Sequence, residues 1–259
     1  MILDAVILAG GKLSTEDPLF SKSVDGSRSM INILGQPMVQ WVIDALDKAG
    51  SVAELYIIGL PAETNLQATK PLHFLEDQGD MVANIRYGVL QTHNDHPESS
   101  KVLIASADIP AVEPHMIDWL VNQVNEDPTQ MLYYNVISQQ VMQGRFPNAH
   151  RSYVRFKDIS VCGGDLNVVD HNLFAIERPL WQKLTSARKH PLRQAGMIGV
   201  DTLLLIALRQ ITLQSAVNRV CQRLSLKGKA LLCPYAEMGM DADKPHQLAI
   251  LRQYLEERS

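Results

Sequence analysis

Cysteine is scarce in this sequence, and the three that occur, Cys162, Cys221 and Cys233, stand far apart. No Cys-x-x-Cys pair is present and the count is odd, so neither a disulfide framework nor a zinc knuckle is predicted. Such cysteine usage fits a reducing compartment, and we expect a cytoplasmic protein.

The sequence also lacks long apolar runs and a surplus of one charge. No segment reaches the roughly 18 apolar residues of a membrane span, and the apolar run 5–9 is too short for a signal peptide. The 24 Lys and Arg residues nearly balance the 28 Asp and Glu residues, for a formal net charge of −4. We therefore expect no nucleic-acid partner and no stable membrane insertion, and leave a homo-oligomer open.

Several well-known catalytic motifs are missing as well. No Gly-Lys-Ser/Thr follows the first glycines, and no G-x-G-x-x-G, H-E-x-x-H or G-x-S-x-G occurs. These absences leave P-loop, dinucleotide-binding, zinc-protease and serine-hydrolase functions without support.

An alternation of strands and helices fills the first half of the chain. Apolar runs of strand length at 5–9, 55–59 and 101–105 alternate with helical spacing at 37–50 and 81–90. Since continuous apolar strands are buried on both faces, this pattern predicts a parallel sheet flanked by helices.

The pattern changes in the second half. Strands are expected at 131–137, 153–156, 167–176 and 230–233, and helices follow Pro179, ending with one over 245–257. The most apolar helical stretch, 199–208, is expected to be buried core rather than a membrane-surface element. We expect a single domain over 1–259, with a helical elaboration at about 178–235.

Two features in the first half are candidates for a functional site. Gly10 and Gly11 directly follow a buried strand. Because they have no side chains, their backbone amides can approach a phosphate, and a tight turn is the alternative explanation of the pair. Asp108 lies just past another buried strand, where open α/β sheets place ligands. Its carboxylate suits Mg²⁺, and helix capping is the alternative role.

Further candidates lie later in the chain. Asp241 and Asp243 lie beside a glycine and suit the other half of a metal site, although Asp243 can also be a helix cap. A second double glycine, Gly163-Gly164, marks either a bulge or a pocket where the backbone passes close to a ligand. Upstream, Arg145 and Arg151 suit phosphate recognition or a solvated surface.

The chain contains the four segments "AVILAGG", "GQPMVQWVIDAL", "ASADIP" and "MGMDADKPHQL". In the order and the separations of these segments, the chain resembles the MobA-like nucleotidyltransferases, which belong to the NTP-transferase superfamily. The resemblance implies a Rossmann-like GT-A fold, in which three α/β/α layers enclose a mixed, mainly parallel sheet, with extra helices in the C-terminal third.

The resemblance also implies a reaction and a set of site residues. In the Mg²⁺-dependent reaction, a small phosphorylated acceptor attacks the α-phosphate of an NTP and releases pyrophosphate. The implied catalytic residues are Arg28 and Asp108, and the implied metal ligands are Asp108, Asp241 and Asp243. The nucleotide would be bound by Leu8, Ala9, Gly10, Gly11, Lys12, Gln78, Gly79 and Asn84. The acceptor would be bound by Gly163, Gly164, Asp165 and Asn167.

The chain departs from the family pattern after the first glycines. The usual short turn is replaced by a polar excursion over 12–27, and Arg28 stands where a lysine is usual. Two alternatives therefore stay open: a non-catalytic nucleotide or sugar-nucleotide binding protein, and a GT-A glycosyltransferase. The latter is disfavoured because Ser106-Ala107-Asp108 holds one acid where a D-x-D motif has two. The base remains open, as does the acceptor: molybdopterin, a sugar phosphate, a polyol phosphate or a lipid precursor.

Overall fold

The computed structural model describes residues 1–175 and 199–258. Within them, nine strands form one mixed sheet in the order β5-β4-β1-β6-β10-β7-β9-β8, and β11 pairs with β7. Two short strands, β2 and β3, form a separate ribbon. The strands are β1 (Leu3–Leu8), β2 (Asn32–Ile33), β3 (Gln36–Pro37), β4 (Val52–Ile58), β5 (Leu72–Leu75), β6 (Lys101–Ser106), β7 (Leu132–Ser138), β8 (Val154–Arg155), β9 (Ser160–Gly163), β10 (Leu166–Asp170) and β11 (Gly228–Cys233).

The first half of the sheet is parallel. β1 lies between β4 and β6, and β5 extends the sheet beyond β4, all with parallel pairing. Along β1, Ala5 and Ile7 contact one hydrophobic cluster while Val6 contacts another. Because both faces of the strand are covered, its sequence is apolar without alternation.

The second half is mixed. β10 runs antiparallel to both β6 and β7, while β11 runs parallel to β7. β9 and β8 continue with antiparallel pairing at the end of β7. The predicted fold class, α/β with a mixed and mainly parallel central sheet, is confirmed.

Helices cover both faces of the sheet and complete the three layers. One cluster joins the sheet to α1, α3 and α8, and the other joins it to α2 and α5. The helices of the described residues are α1 (Met38–Lys48), α2 (Met81–Asp95), α3 (Pro114–Glu126), α4 (Gln139–Arg145), α5 (Asn172–Ala175), α6 (Val200–Ala207), α7 (Leu213–Leu224) and α8 (Pro245–Glu256).

Some expected elements differ from those observed. The strand expected over 167–176 is wrong in its second half, because β10 ends at Asp170, whose carboxylate accepts a hydrogen bond from the Asn172 amide (2.9 Å) and turns the chain into α5. The sequence analysis also missed β5, β9, α4 and the ribbon of β2 and β3.

The burial expected for 199–208 is wrong for part of α6. Val200, Leu204 and Leu208 are exposed, at 71%, 58% and 56%. The apolar residues of the helix are distributed around its axis, and among the described residues the helix contacts α7 and β8. The remainder of the predicted helical elaboration, over 178–198, lies outside the described residues, and the single-domain organisation stays a prediction.

In the part of the chain that the structure describes, no helix is both long and apolar enough to cross a membrane.

Candidate active site

The glycine loop, residues 9–11, follows β1 at the carboxyl edge of the parallel strands. It lies against the end of β4, where the Ala9 amide donates to the Ile58 carbonyl (2.9 Å). Gly59 allows this approach, because its φ is +93° and a Cβ there would lie 2.2 Å from the Cα of Gly10. Gly11 has open space on its side-chain side. Gly10 and Gly59 thus allow the glycine loop and the end of β4 to approach closely, and Gly11 leaves room beside the loop.

The polar excursion 12–27 closes on itself. Its two ends meet where the Leu13 amide donates to the Gly26 carbonyl (2.8 Å) and Lys12 bridges to Ser27. Leu19 anchors the excursion in the core with no exposed surface. Despite the added length, Arg28 therefore emerges next to the glycine loop, where its amide donates to the Gly11 carbonyl (3.2 Å).

A cavity of about 430 Å³ lies over this edge of the sheet. It is lined by Leu8, Ala9, Gly10, Gly11, Lys12, Arg28, Ser29, Asp77, Gly79, Asp80, Met81, Asn84, Ser106, Ala107 and Asp108. The structure thus brings together both residues predicted to be catalytic and every residue predicted to bind nucleotide except Gln78, which is an immediate neighbour of the lining.

The segment between β5 and α2 builds the cavity wall beside the glycine loop, where a Cβ on Gly10 would lie 3.1 Å from the Asp77 carboxyl group. Asp77 accepts hydrogen bonds from the Asn84 side-chain amide (2.9 Å) and from the Gly79 amide (3.0 Å). The Asn84 oxygen in turn accepts from the Gln78 amide (2.7 Å). Asp80 caps α2 by accepting from the Val82 and Ala83 amides. Sequence reasoning missed Asp77, and the unrecognised strand β5 directly before it was the signal that could have found it.

Asp108 does not act as a helix cap. The N-cap of α3 is Glu113, five residues further on. The Asp108 carboxylate instead accepts from the Ser106 hydroxyl (2.5 Å) and lies 3.7 Å from an Arg28 nitrogen. Burial raises its pKa above the usual value, and the negative charge of Asp243 acts in the same direction.

Asp243 is not a cap either, since α8 has Lys244 at its N-cap. Its carboxylate accepts a hydrogen bond from the same Arg28 nitrogen that lies near Asp108. Between them, the Ala242 amide donates to the Asp108 carbonyl (3.0 Å). Arg28 and this main-chain bond thus hold Asp108 and Asp243 at one place.

Asp241 lies in a second group. It accepts a hydrogen bond from Arg151, whose other terminal nitrogen lies 3.9 Å from an Asp165 oxygen. Burial raises the pKa of Asp165 to about 8 and that of Asp241 to about 6. Neighbouring aspartates add to both increases, and Arg151 opposes them.

The glycines predicted to bind the acceptor are close to neighbouring strands. A Cβ on Gly164 would lie 2.9 Å from the Cβ of Asn135, and the Gly164 amide donates to the Asn135 carbonyl (2.8 Å). Asn167 is bonded to the Asn135 amide and to the Gly164 carbonyl. Close packing against Asn135 thus accounts for Gly164, whereas a Cβ on Gly163 would meet the Tyr134 hydroxyl. The carboxyl group of Asp165 lies near the other aspartates of the site. Acceptor binding by these residues stays a prediction.

The site offers oxygen ligands of the kind that Mg²⁺ prefers. Asp108, Asp165, Asp241 and Asp243 supply carboxylates from three separate segments. Among the described residues, no three His, Cys, Asp or Glu side chains form a group ready to hold a metal ion. Mg²⁺ commonly takes one or two carboxylates and completes its shell with substrate phosphates and water, so this donor set fits it.

Comparison with solved structures shows what this arrangement resembles. A hypothetical transferase from Thermus thermophilus is 28% identical, with a TM-score of 0.81, over 96% of this chain and 100% of that one. A CMP-2-keto-3-deoxy-manno-octonic acid synthetase, solved with CTP, has a TM-score of 0.61 at 12% identity and full coverage of both chains. The latter likeness shows the fold alone.

Comparison with curated proteins and with family models identifies the family to which the chain belongs. The bifunctional protein GlmU of Thermoanaerobacter pseudethanolicus is 25% identical over 114 residues, which are 44% of this chain and only 25% of that protein's length. The model of the MobA-like NTP transferase domain matches residues 5–227. It spans the glycine loop, Arg28, Asp108 and Asp165. The chain therefore belongs to the MobA-like NTP transferase domain family.

Proposed function

We propose that the protein transfers a nucleoside monophosphate from an NTP to a small phosphorylated acceptor, with Mg²⁺. The observation that carries the proposal is the cavity in which the glycine loop, two cationic side chains and Asp108 meet. Glycine amides and cationic side chains suit the binding of a triphosphate, and the segment around Asp77 and Asn84 would contact the nucleotide base.

In the proposed reaction, an oxygen of the acceptor phosphate attacks the α-phosphorus of the NTP. The bond from that phosphorus to the bridging oxygen of the β-phosphate breaks, and pyrophosphate leaves with the bonding electrons. Chemistry of this kind depends mainly on alignment and charge neutralisation. Lys12 and Arg28 would offset negative charge on the phosphates. Asp165 would contact the acceptor next to the other aspartates of the site.

For the metal, we propose Asp108 and Asp241 as the ligands, with Asp243 as a third candidate. Both late aspartates accept a hydrogen bond from an arginine, Asp243 from Arg28 and Asp241 from Arg151. When bound, Mg²⁺ would supply Lewis-acid stabilisation of phosphate charge. The three cysteines of the described residues are free, which suits a reducing compartment, and we keep the cytoplasm as the proposed location.

Nucleotide binding tests this proposal directly. We expect at least one of the four NTPs, with Mg²⁺, to raise the melting temperature of the purified protein, because a ligand that binds the folded state stabilises it. Pyrophosphate release should then follow with a panel of sugar, polyol and pterin phosphates. A protein that no NTP stabilises would contradict the proposal. Stabilisation without turnover on any acceptor would favour a nucleotide-binding protein, and release of a free NDP from a sugar nucleotide would favour a glycosyltransferase.

Asp108→Asn tests the role of the acid. We expect kcat to fall by about 100-fold or more, because the amide is a poorer metal ligand than the carboxylate. Folding should be preserved, since the raised pKa of Asp108 shows that its buried charge opposes folding rather than favours it. Asp25→Asn, on an exposed residue of the excursion whose φ of +51° asparagine tolerates, is the control. An unchanged kcat in Asp108→Asn would remove this carboxylate from the mechanism.

A further inference from the structure

The end of the polar excursion holds the glycine loop by two of its carbonyl groups. The Ser29 hydroxyl donates to the Ala9 carbonyl (3.0 Å), and the Arg28 amide donates to the Gly11 carbonyl (3.2 Å). The hydroxyl of Ser27 lies 3.0 Å from that of Ser29. Because the single hydroxyl proton of Ser29 is already bonded to Ala9, Ser27 is the donor in this second bond and orients the Ser29 hydroxyl.

These carbonyl contacts also set the direction of the amides in the loop. In a trans peptide, the carbonyl of one residue and the amide of the next point in opposite directions, and the described residues contain no cis peptide bond. The amides of Gly10 and Lys12 therefore point away from the end of the excursion. In the part of the chain that the structure describes, neither amide has a hydrogen-bond partner, and both residues line the cavity. Two main-chain donors thus lie at the place proposed for the triphosphate.

The orientation of the peptide between Ala9 and Gly10 depends on Ser29. The preceding peptide is fixed by the main chain, because the Ala9 amide donates to the Ile58 carbonyl (2.9 Å). The Ala9 carbonyl is instead held by a side chain, that of Ser29, which is only 3% exposed. Without this hydroxyl, the carbonyl would regain a hydrogen bond by turning toward water in the cavity. It would then face the phosphates and repel them, while the Gly10 amide would point away.

We propose that Ser29, supported by Ser27, is a positioning residue, which fixes the Ala9–Gly10 peptide so that the Gly10 amide donates to a phosphate oxygen of the NTP. The part of the substrate that depends on it is the polyphosphate, an anion that needs neither the base nor the acceptor. The excursion has a role in this arrangement, because its end brings both serines to the glycine loop. The inference rests on the proposed function, since it takes the glycine loop as the triphosphate site.

Competition binding with two ligands measures this role. The affinity of the NTP that binds best is compared with that of inorganic tripolyphosphate, which displaces it, and Mg²⁺ is present with both. Tripolyphosphate has no base, so a loss of affinity that both ligands share is a loss at the phosphate site. A defect in the wall around Asp77 and Asn84 would weaken the binding of the NTP alone.

We expect Ser29→Ala to weaken the binding of both ligands by about 5-fold or more, because a phosphate oxygen loses a well-oriented donor. Ser29→Thr should recover most of the affinity, since it keeps the hydroxyl. Ser27→Ala should cost about 2-fold, because Ser29 keeps its bond with Ala9 but loses the support of its hydroxyl.

Ser23→Ala is the matched control. The Ser23 hydroxyl also donates to a main-chain carbonyl of the excursion, that of Phe20 (2.7 Å), but this carbonyl is not in the glycine loop. Ser23→Ala therefore loses a bond of the same kind and should bind both ligands as the wild-type protein does.

Unchanged affinity for both ligands in Ser29→Ala would overturn the inference, and so would a loss in Ser23→Ala as large as that in Ser29→Ala. A loss confined to the NTP, or a wild-type protein that binds the NTP and not tripolyphosphate, would overturn it as well. If a melting curve shows that Ser29→Ala is unfolded at the assay temperature, the same comparison is made with Ser29→Cys, which keeps the shape of the side chain but is a weak donor. Failure of the wild-type protein to bind any NTP would instead contradict the proposed function.

Discussion

His96 links two strands at the edge of the sheet opposite the active site. One ring nitrogen is 2.8 Å from a buried Asp4 oxygen of β1, and the other is 3.6 Å from Glu54 of β4. The hydrogen bond with Asp4 raises the pKa of His96, and the negative charges of Asp4, Glu54 and Glu98 act in the same direction. The protonated ring is therefore the form that holds these strands.

This geometry predicts a pH dependence of stability. Because the folded-state pKa of His96 exceeds the unfolded value of about 6.5, its stabilising contribution is complete below that pH and is lost as pH rises through the folded-state pKa. The pKa of Asp4 is raised by burial, so its ionisation also costs stability as pH rises. We expect His96→Asn to lower the free energy of unfolding by about 1 kcal/mol at pH 5.5 and by less at pH 8.5.

Urea unfolding at the two pH values measures this difference. His115→Asn is the matched control, because His115 also lies near an acid, Glu113 at 3.7 Å, but is 57% exposed and has no buried carboxylate in its ion pair. A loss in His96→Asn that is equal at both pH values would show that the imidazole acts through packing and not through its charge.

Among single residues, the sequence predicted those whose role follows from local context. Gly10, Gly11 and Asp108 follow apolar strands, and position after a strand is sufficient to place a residue at the ligand edge of a parallel sheet. The ion pairs that Arg28 and Arg151 form with the aspartates could not be predicted from the sequence, because each joins side chains from distant segments. Asp241 and Asp243 are equally acidic neighbours in the sequence, and only their partners separate them.

At the level of elements, the junction of the glycine loop with the end of β4 leaves no room for a side chain at Gly59. Gly59→Ala would place a methyl group on the backbone of Gly10 and force a side chain to adopt φ near +93°. We expect the free energy of unfolding to fall by about 2 kcal/mol or more, because this backbone region costs 1–3 kcal/mol and the clash adds to it. Nucleotide binding should weaken with it, since the loop must move.

Gly144→Ala is the matched control for this substitution. Gly144 lies in α4, has open space around it and has an ordinary φ, so alanine there should be neutral or stabilise by up to about 1 kcal/mol. Thermal unfolding and NTP titration of both variants provide the readouts. A Gly59→Ala protein with wild-type stability and affinity would mean that the loop does not depend on this contact.

The elements that the sequence analysis missed are short or half-buried. β5 has only four residues, LHFL, and every one of them is partly buried, so its apolar run is too short and too interrupted to stand out beside its neighbours. The seven residues of α4, QQVMQGR, contain only two that are apolar. Long buried strands and amphipathic helices carry their burial pattern in the sequence, whereas a short edge strand and a helix of about two turns are set by what they pack against.

Across the whole molecule, the C-terminal segment is bound to the central part of the chain. Buried Glu237 accepts hydrogen bonds from Arg145 of α4 (2.7 Å) and from Tyr254 of α8 (2.9 Å). Arg145 also lies over the Tyr254 ring, at 4.7 Å from its centroid. Asp241 and Asp243 lie between Glu237 and α8, both of which these contacts hold in place. We therefore expect the stability of the fold and the geometry of the site to be coupled.

Glu237→Ala tests this coupling. We expect a loss of about 2 kcal/mol in unfolding free energy, because Tyr254 and Arg145 lose a charged acceptor. We also expect weaker Mg²⁺–NTP binding, although Glu237 does not line the cavity. Glu256→Ala, on the exposed face of α8, should change neither quantity. Stability and ligand affinity are measured by urea unfolding and calorimetric titration, and a Glu237→Ala protein that unfolds more easily but binds normally would separate the two.

The place of Asp241 and Asp243 in the chain has a consequence for biosynthesis. The ribosome makes the glycine loop and Asp108 early, and Asp241 and Asp243 follow 133 and 135 residues later, which takes roughly 7 to 27 seconds at ordinary translation rates. During that interval the parallel strands can pair, but the proposed metal site has only one of its two acids. A growing chain would therefore meet cellular NTPs and Mg²⁺ without the means to hold them together, and nucleotide-assisted folding would begin only after the last helix starts to emerge.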